Sequence, residues 1–566
     1  MRALAETAVT WAYHFIDASP TWNVNSTWMD RVETVVDQAL ATGLYVVVNA
    51  HHDSWIWADP TAAGANITMI NEKFGRLWSQ IGTRLACKSS RLIFEPLNEP
   101  VGSTQADAQV LNNLSAIFLQ EINAAGGNNP LRVVSLSGLG MDSIKTSEWF
   151  VRPAIYPNQP WGLQFHYYSP YEFIFDAWGM TIWGSESDKA SLLNDFTLFH
   201  GNFTDVPAFV GEWDSSTTNN EKAARWKYFD YFIRTANSFK YSTILWDNGL
   251  DQFNRTSDTW YDPVDRDVLF SAVAGVTNSL ADSTTDPSAT SQNSSAYLFH
   301  KVGDPVVAQS VPYLLNGNTL MAIKTATGKP LNPAQYSMSS TGSLTFTASY
   351  LSTLYSSNSA AGIKETLTLC FSAGTPLTLQ IVQYATPIIP TTTYVVDPSA
   401  DLYIPVTYQG LPQVAAVKAM NADGTYFTDS WTVYLGPLQQ ATWTYGSWGW
   451  DDSHFIIYAA GLTQIQEAAQ TVTLTVEVSA FATQRGEMDF ADFSGSSFRE
   501  VWVRIVSILR SPSRFERKLI GKFVCVLRQS NRPPRRVNVQ ASGLYHDFNC
   551  TVIYARGGAC VVSQAT

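Results

Sequence analysis

Short apolar stretches alternate with segments of helical periodicity through the first half of the chain. The stretch at 91–94 is apolar enough for a strand covered on both faces, as in a parallel sheet. Alternation with a period of two then places Glu95, Leu97 and Glu99 on one face of this strand, with Asn98 on the other. The proline that follows cannot donate to a strand ladder, so the pattern predicts Glu99 at the strand's C-terminal end.

The same succession of helix and strand recurs several times before residue 262. Apolar residues have helical spacing at 27–40, 71–86 and 106–125. Further strands are predicted at 9–11, 44–50, 131–137, 162–167, 206–212 and 242–247. With 91–94 they make seven strands, and their alternation with helices predicts a parallel sheet with both faces covered.

Polar residues gather at the ends of these strands, and each cluster ends a different strand. The clusters are His51 and His52, Asn98 and Glu99, His166 and Tyr168, Glu212, and Trp246. A doubly wound sheet would place its function at a glycine-rich loop, and the sequence has no such fingerprint. We therefore predict an α/β fold, a (β/α)8 TIM barrel with its site on the C-terminal rim. Because a closed barrel has eight strands, we expect the first strand to be missing.

Composition narrows the possible classes of function. The formal net charge of −12 argues against nucleic acid as a partner, because phosphates would be repelled. No apolar run is long enough to span a bilayer, so no membrane partner is expected. Aromatic residues make up 13% of the chain and include 19 tryptophans, whose faces can stack on sugar rings. The five cysteines show no metal-ligand spacing.

Several separated motifs carry a specific resemblance. Asn98-Glu99-Pro100, His166-Tyr167-Tyr168 and Gly211-Glu212-Trp213, in that order and on those strands, resemble glycoside hydrolase family 5. The strand end His51-His52-Asp53 and the segment 94–100 are similar to the family's endo-β-1,4-glucanase and xyloglucanase branch. The resemblance implies a TIM-barrel glycosidase that needs no cofactor.

The two rim carboxylates match the needs of a retaining glycosidase. Such an enzyme uses two carboxyl groups about 5–5.5 Å apart, one as acid/base and one as nucleophile. We predict Glu99 as the acid/base and Glu212 as the nucleophile, since their strands belong to opposite sides of a barrel. A nearby anionic carboxylate favours the protonated form that the acid requires. Glu95 is the rival carboxylate, but it lies deeper along the strand and is predicted to be structural.

The resemblance also implies roles for the neighbouring residues. His166 and Tyr168 would bond the carboxylates and the sugar, while Asn98 would contact the 2-hydroxyl of the sugar under attack. Trp246 would form the floor of the subsite where the glycosyl intermediate forms. His51 and His52 are expected to bind substrate. A metal pair is the alternative for these histidines, but no third ligand has suitable spacing, so we predict no metal.

The resemblance extends from about residue 9 to residue 262 and departs from the family pattern at the start. The family's second strand ends in Arg-Ile-Pro-Val-Thr-Trp, and here 9–11 keeps Val-Thr-Trp while Glu6 stands at the Arg position. Residues 1–15 also lack the apolar core of a signal peptide. An incomplete N-terminus in the gene prediction would account for both features.

The second half of the chain changes to the period of strands. A catalytic barrel at 1–275 is followed by a connection at 276–300, which is rich in Ser, Thr, Asp and Ala. Alternating strands then predict a β-sandwich at 301–395, which resembles an immunoglobulin-like spacer. A second β-sandwich at 396–482 resembles carbohydrate-binding module family 46. Its aromatic stretch includes Trp448 and Trp450, which we predict to stack on glycan.

The tail at 483–566 falls outside the resemblance. Its basic stretch at 499–536 could be an arm for nucleic acid or an acidic surface, but we favour translated intron or frame-shifted sequence and assign it no function. Seven Asn-x-Ser/Thr sequons suit a secreted glycoprotein, so an extracellular location is expected.

Three hypotheses for function follow. The first is a secreted retaining endo-β-1,4-glucanase that acts on cellulose, mixed-linkage glucan or xyloglucan. The second is an endo-β-1,4-mannanase of the same clan. The third is a catalytically impaired glycan-binding protein, suggested by the missing arginine and first strand. The intact Glu99 and Glu212 favour the first, with plant cell-wall β-glucan as the partner and a monomer as the expected state.

Overall fold

A curled parallel sheet surrounded by helices forms the first domain. The computed structural model describes residues 4–175, 180–218, 220–355, 360–391, 393–427, 435–444, 446–478, 501–506, 552–553 and 559–563. Strands β1–β7 are Leu4–Thr7, Tyr45–Asn49, Leu92–Glu95, Val134–Leu136, Trp161–Tyr167, Ala208–Trp213 and Ser242–Asp247. They pair in sequence order, each parallel to the next. The predicted TIM-barrel class is confirmed, and six of the seven predicted strands are present, but the first strand lies at Leu4–Thr7 and not at the predicted 9–11.

Helices cover the outer face of this sheet. Helices α1–α9 are Ser26–Ala41, Asp53–Ile56, Ile67–Leu85, Gln105–Ala124, Ser143–Trp149, Tyr171–Ile174, Glu186–Asn202, Lys222–Ser238 and Pro263–Val273. Short 3-10 turns lie at Asn129–Leu131 and Leu139–Met141, and a small hairpin pairs β8 (Phe253–Asn254) with β9 (Thr259–Trp260). Asn25 caps α1, because its side chain accepts the N–H groups of Thr27 and Trp28. Among the described helices, none combines the length and the hydropathy that a bilayer span requires.

A strand from the C-terminal tail lies beside the last barrel strand. Tail strand β26 (Ala559–Ser563) pairs in parallel with β7, from Ala559 opposite Thr243 to Ser563 opposite Asp247. It also approaches β1, so it occupies the position between the first and seventh strands. The eighth position of the barrel is therefore filled by a segment to which the sequence pattern assigned no structure.

Two β-sandwiches follow the barrel. The second domain has one sheet in the order β10-β12-β15-β14 and one in the order β11-β17-β16-β13. Strands β10–β17 are Leu280–Ala281, Tyr297–Lys301, Gln309–Leu314, Leu320–Lys324, Tyr336–Met338, Ser343–Phe346, Gly362–Phe371 and Leu377–Tyr384, with a 3-10 turn at Pro333–Gln335 and α10 at Ala348–Leu354. Its apolar side chains are continuous with the barrel core.

The third domain has a core of its own. Its sheets have the orders β18-β24-β23-β20 and β19-β22-β21. Strands β18–β25 are Thr393–Val395, Leu402–Pro405, Val414–Asn421, Trp448–Trp450, His454–Ile457, Val472–Val478, Val501–Val506 and Val552–Ile553, and α11 is Ala459–Glu467. Strand β24 comes from the tail and lies between β18 and β23, while β25 pairs with β26. The sequence 431–437 also predicts a strand of this domain, but most of these residues lie outside the described ones.

The segment predicted as a surface connection is packed at both ends. Asn278 is fully buried and donates from Nδ2 to Asp230 Oδ1 at 2.7 Å, which ties the segment to helix α8. Strand β10 pairs with β12 of the second domain, and Ser294 and Ser295 are buried. Polar composition suggested a linker, but these polar groups find partners inside the junction of the two domains, so the prediction is wrong there.

Candidate active site

Glu99 reaches the rim through a turn and not through strand alternation. Strand β3 ends at Glu95, and the Asn98 N–H donates to the Ala50 carbonyl at 3.0 Å beyond the end of the strand. Glu99 itself has a φ of 36°, in the left-handed region that a non-glycine residue rarely adopts. Prolines on both sides of the Leu97-Asn98-Glu99 segment limit the conformations open to it. The predicted location was correct, but the strand ends earlier than predicted.

The two predicted catalytic carboxylates lie close together around one histidine. One oxygen of Glu99, one oxygen of Glu212 and a ring nitrogen of His166 all lie within 4.8 Å of one another. His166 Nδ1 is 3.0 Å from Glu99 Oε1 and 3.5 Å from Glu212 Oε2. This spacing suits a retaining glycosidase, since an inverting enzyme separates its carboxyl groups by roughly 6.5–9.5 Å to admit a water.

Glu212 is buried at the end of β6 and is held by two neighbours. The Tyr168 hydroxyl donates to Glu212 Oε2 at 3.1 Å, and His51 Nε2 lies 3.8 Å from Oε1. Burial, with Glu212 next in importance, raises the pKa of Tyr168 well above its ordinary value. The hydroxyl therefore keeps its proton and remains a donor to the carboxylate.

The histidine pair lines the same rim. Burial, together with His52 and His166, lowers the pKa of His51 well below its ordinary value, so His51 is neutral. Its ring stacks on Trp246, with ring centroids 5.8 Å apart and planes 7° apart. His52 lies edge-on to His51, and its Nδ1 is 2.5 Å from Thr10 Oγ1. The structure thus brings His51, His52 and Trp246 together with the carboxylates.

Asn98 presents a buried amide with unused bonding capacity. It is 1% exposed, and neither its Oδ1 nor its Nδ2 has a hydrogen-bond partner among the described residues. A buried amide without partners is costly in a folded protein, so such a group commonly bonds a ligand. This agrees with the predicted contact to a sugar hydroxyl.

The sequence reasoning missed a layer of polar side chains beneath the carboxylates. Glu95 is fully buried, as predicted, and accepts from Asn49 Nδ2 at 3.1 Å and from Ser135 Oγ at 2.9 Å. Burial raises the pKa of Glu95 to about 8. Gln164, also fully buried, contacts His166. Alternation along β5 places Gln164 on the same face as His166, and that signal was available in the sequence.

Trp55 was also missed. It is 45% exposed, and its ring centroid lies 5.5 Å from that of His52. An exposed aromatic beside the rim is suited to stacking on a sugar. The sequence signal for Trp55 was its position, two residues after the strand end His51-His52-Asp53.

The aromatic platform predicted in the third domain is wrong for Trp448. This residue is 2% exposed, and its Nε1 donates to the Trp443 carbonyl at 3.2 Å inside the domain core. Trp450 is half-buried and packs against the same core. Trp448 and Trp450 lie on the same face of β21, and this face is turned toward the core. The turn-rich sequence around them suggested exposed side chains, but the strand directs them inward. A glycan contact remains a prediction for Trp450 alone.

Within the described residues, one group has the geometry to hold a metal ion. It consists of Glu99, His166 and Glu212, and so coincides with the carboxylate pair. His51 and His52, the metal alternative considered above, do not belong to it.

A pair of facing carboxylates on the rim of a (β/α)8 barrel is the arrangement that a retaining glycoside hydrolase requires. Residues 6–252 match the family described as "Cellulase (glycosyl hydrolase family 5)", and residues 292–381 match "Carbohydrate binding domain X2". Endoglucanase B of Paenibacillus lautus is 30% identical over 436 residues, covering 74% of this chain and 72% of that protein. The chain belongs to glycosyl hydrolase family 5. The resemblance inferred from the motifs is confirmed, whereas carbohydrate-binding module family 46 stays a prediction for the third domain.

Further similarities have different coverage. A xyloglucan-specific endo-β-1,4-glucanase of Bacteroides ovatus is 27% identical over 281 residues, covering 44% of this chain and 55% of that protein. A tri-modular endo-β-1,4-glucanase of subfamily 4 from Bacillus licheniformis, solved with cellotetraose, is 28% identical. Its TM-score is 0.76, over 89% of this chain and 90% of that one. A hydrolase domain joined to a carbohydrate-binding domain indicates a polysaccharide substrate.

Proposed function

We propose that this protein is a retaining endo-β-1,4-glucanase that acts outside the cell on plant cell-wall β-glucan. The observation that carries the proposal is the approach of the Glu99 and Glu212 carboxylates to within 4.8 Å around His166. The glucanases of Paenibacillus lautus and Bacillus licheniformis support the choice of glucan over mannan.

The reaction follows in two displacements. In the first, Glu99 gives its proton to the glycosidic oxygen while Glu212 attacks the anomeric carbon and forms a covalent glycosyl ester. In the second, Glu99 takes a proton from water, which attacks the same carbon and releases Glu212. The two inversions give net retention. Glu99 is the more exposed of the pair, with 27% of its side chain accessible against 8% for Glu212, which suits exchange of protons with water.

Neighbouring groups orient the nucleophile and the sugar. Tyr168 donates to Glu212 Oε2, which fixes the rotation of the carboxylate and leaves Oε1 on the side of His51. Trp246 and Asn98 supply an aromatic face and an amide for the sugar next to the bond that breaks. Hydrogen bonds that strengthen as charge develops on the sugar lower the barrier.

The β-sandwich domains would hold polymer near the rim. The match to carbohydrate binding domain X2 places a glycan-binding fold directly against the barrel core. Tethering a second binding site raises the effective concentration of polymer without changing the chemistry. The tri-modular enzyme of Bacillus licheniformis has comparable architecture over 90% of its length.

The proposal is tested on soluble polymers with the full chain. Carboxymethylcellulose, mixed-linkage glucan, xyloglucan and mannan are compared by viscosity and by reducing ends, with Glu212→Gln as the matched control. We expect viscosity to fall on the glucans before many ends appear, as endo cleavage requires, and no cleavage by the control. Cleavage of mannan alone, or glycan binding without cleavage, would overturn the proposal.

A further inference from the structure

Glu95 lies beneath both catalytic carboxylates and is linked to each through an amide and a histidine. On one side, Glu95 Oε1 accepts from Asn49 Nδ2 at 3.1 Å, and the same Nδ2 is 3.3 Å from His51 Nδ1. On the other side, Gln164 Nε2 is 3.5 Å from Glu95 Oε1 and 3.2 Å from His166 Nε2. Two parallel chains therefore connect one buried carboxyl group to Glu212 and Glu99.

The chemistry of these groups assigns the protons along each chain. An amide NH2 group only donates, so the ring nitrogen that faces it must accept and cannot carry a proton. His51 Nδ1 and His166 Nε2 are therefore bare. In a neutral ring the proton then lies on the other nitrogen, which is Nε2 for His51 and Nδ1 for His166. Those are the nitrogens that face Glu212 at 3.8 Å and Glu99 at 3.0 Å.

The amide orientations themselves depend on Glu95. If either amide were turned round, its oxygen would face the acceptor Oε1 of Glu95, and two acceptors would meet there. Asn49 has a second constraint, because its Oδ1 accepts the backbone N–H of Val9 at 3.4 Å on the opposite side. Ser135 Oγ lies 2.9 Å from Glu95 Oε2 and 3.5 Å from Gln164 Oε1, so it contacts both side chains.

We propose that Glu95 is a positioning residue that sets the tautomers of both active-site histidines, through Asn49 and Gln164. It does so with a neutral carboxyl group whose Oε1 accepts from both amides and whose Oε2 lies 2.9 Å from Ser135 Oγ. The raised pKa of Glu95, which burial causes, agrees with a neutral group. The acceptor oxygen, and not a negative charge, performs this role. The inference rests on the proposed function.

The test separates the acceptor from the charge. Glu95→Gln keeps an acceptor oxygen toward the amides and an NH2 group toward Ser135, so it should keep kcat within about twofold of the parent. Glu95→Met has a similar length but no acceptor, so both amides lose the contact that opposes their turning, and Asn49 keeps its bond from Val9. We expect the kcat of Glu95→Met on an aryl β-cellobioside to fall about 100-fold or more, with KM nearly unchanged. Losses of this size occur in other enzymes when a histidine takes the wrong tautomer or a hydrogen-bond donor is lost.

A second variant keeps the test decisive if Glu95→Met fails to fold. Gln164→Glu places a carboxylate against His166 Nε2. Because a carboxylate only accepts hydrogen bonds, this ring nitrogen must then carry a proton. His166 faces Glu99 and Glu212, and His51 lies close enough to interact. An imidazolium beside Glu99 favours the ionised acid, so the alkaline limb of kcat/KM should move to lower pH, with kcat reduced.

The outcomes are distinct. Equal losses for Glu95→Gln and Glu95→Met would overturn the inference, and so would a parental kcat and pH profile for Gln164→Glu. If the parent protein itself fails to cleave any β-glucan or aryl β-cellobioside, the proposed function falls first.

Discussion

Glu99 combines an uncommon backbone conformation with a partly exposed carboxyl group. With this φ of 36°, the turn points the Glu99 side chain toward His166. The alternation of a regular strand would have pointed the side chain away from this position. Strain of this kind persists only where surrounding contacts fix it, and it is concentrated at functional sites. Period-two reasoning found the residue because the motif ends the strand, but it could not predict the turn.

The first residue-scale prediction concerns the role of Glu99. Glu99→Ala should keep much of its activity on substrates whose leaving group needs no proton, such as a dinitrophenyl β-cellobioside. Azide should then accelerate turnover and give the β-glycosyl azide, because small anions enter the space left by the acid/base. Steady-state kinetics and product analysis measure both effects.

Glu212→Ala is the companion variant. If azide rescues it and gives a glycosyl azide of inverted configuration, the result is the one expected for a variant that lacks its nucleophile, and it supports the same assignment. A retained azide product from Glu212→Ala would reverse the two roles.

The second prediction concerns the stability contributed by Glu95. Burial raises its pKa from 4.5 to about 8, so the folded state favours the neutral form. This contribution to stability is full below about pH 4.5 and is lost as the pH rises toward about 8. Glu95→Gln cannot ionise, so its free energy of unfolding relative to the parent should increase with pH across that window, by up to ~1.4 kcal/mol per pH unit. Urea unfolding at several pH values measures this, and a difference independent of pH would contradict it.

At the scale of elements, strand β6 fits against β5 only because residue 211 is a glycine. A Cβ at Gly211 would lie 2.1 Å from Gln164 Nε2 and 2.3 Å from its Cδ. Gln164 is fully buried. The glycine of the Gly-Glu-Trp motif thus serves the side chain that contacts His166, one residue before the nucleophile.

The third prediction follows from this contact. Gly211→Ala should destabilise the barrel by about 1–3 kcal/mol through overpacking and should lower kcat by displacing Gln164. Gly201→Ala is the matched control, since Gly201 lies in α7 and its added Cβ would meet nothing within 4 Å. Thermal unfolding and kcat are measured for both. Equal behaviour of the two variants would show that the Gln164 contact is unimportant.

The elements show which sequence signals were reliable. Apolar runs located β7 to the residue and β2, β5 and β6 within two residues, because buried parallel strands are continuously apolar. The rim residues followed from those strand ends. Trp448 was misassigned because exposure depends on tertiary packing, which local aromatic density does not reveal. Gln164 and Glu95 were not combined into a network, because their contact joins residues 69 positions apart.

At the scale of the whole molecule, the chain returns from its far end to the barrel. Strand β26 pairs with β7 along five residues, with Val562 opposite Trp246 and Ser563 opposite Asp247. Open edges of a sheet expose unpaired backbone groups, and β26 pairs with those of β7. No local pattern could predict this pairing, since it joins segments more than 300 residues apart.

The fourth prediction tests that closure. Deleting residues 557–566 removes β26 and should lower the melting temperature by at least about 4 °C, since each kcal/mol lost shifts a domain of this size by roughly 2–4 °C. Activity should fall as well, because Trp246 lies on the strand that loses its partner. Deleting only 564–566 is the control. Unchanged melting and activity in the longer deletion would show that the barrel does not depend on β26.

The configuration of the first product tests most directly whether Glu212 acts as a nucleophile. Proton NMR during hydrolysis of a cello-oligosaccharide by the full chain reports the anomer that appears before mutarotation. Because Glu99 and Glu212 lie within 4.8 Å, we predict that the β-anomer appears first, with the α-anomer following slowly. An α-anomer formed first would mean a single displacement by water, and would contradict the assignment of Glu212 as a nucleophile.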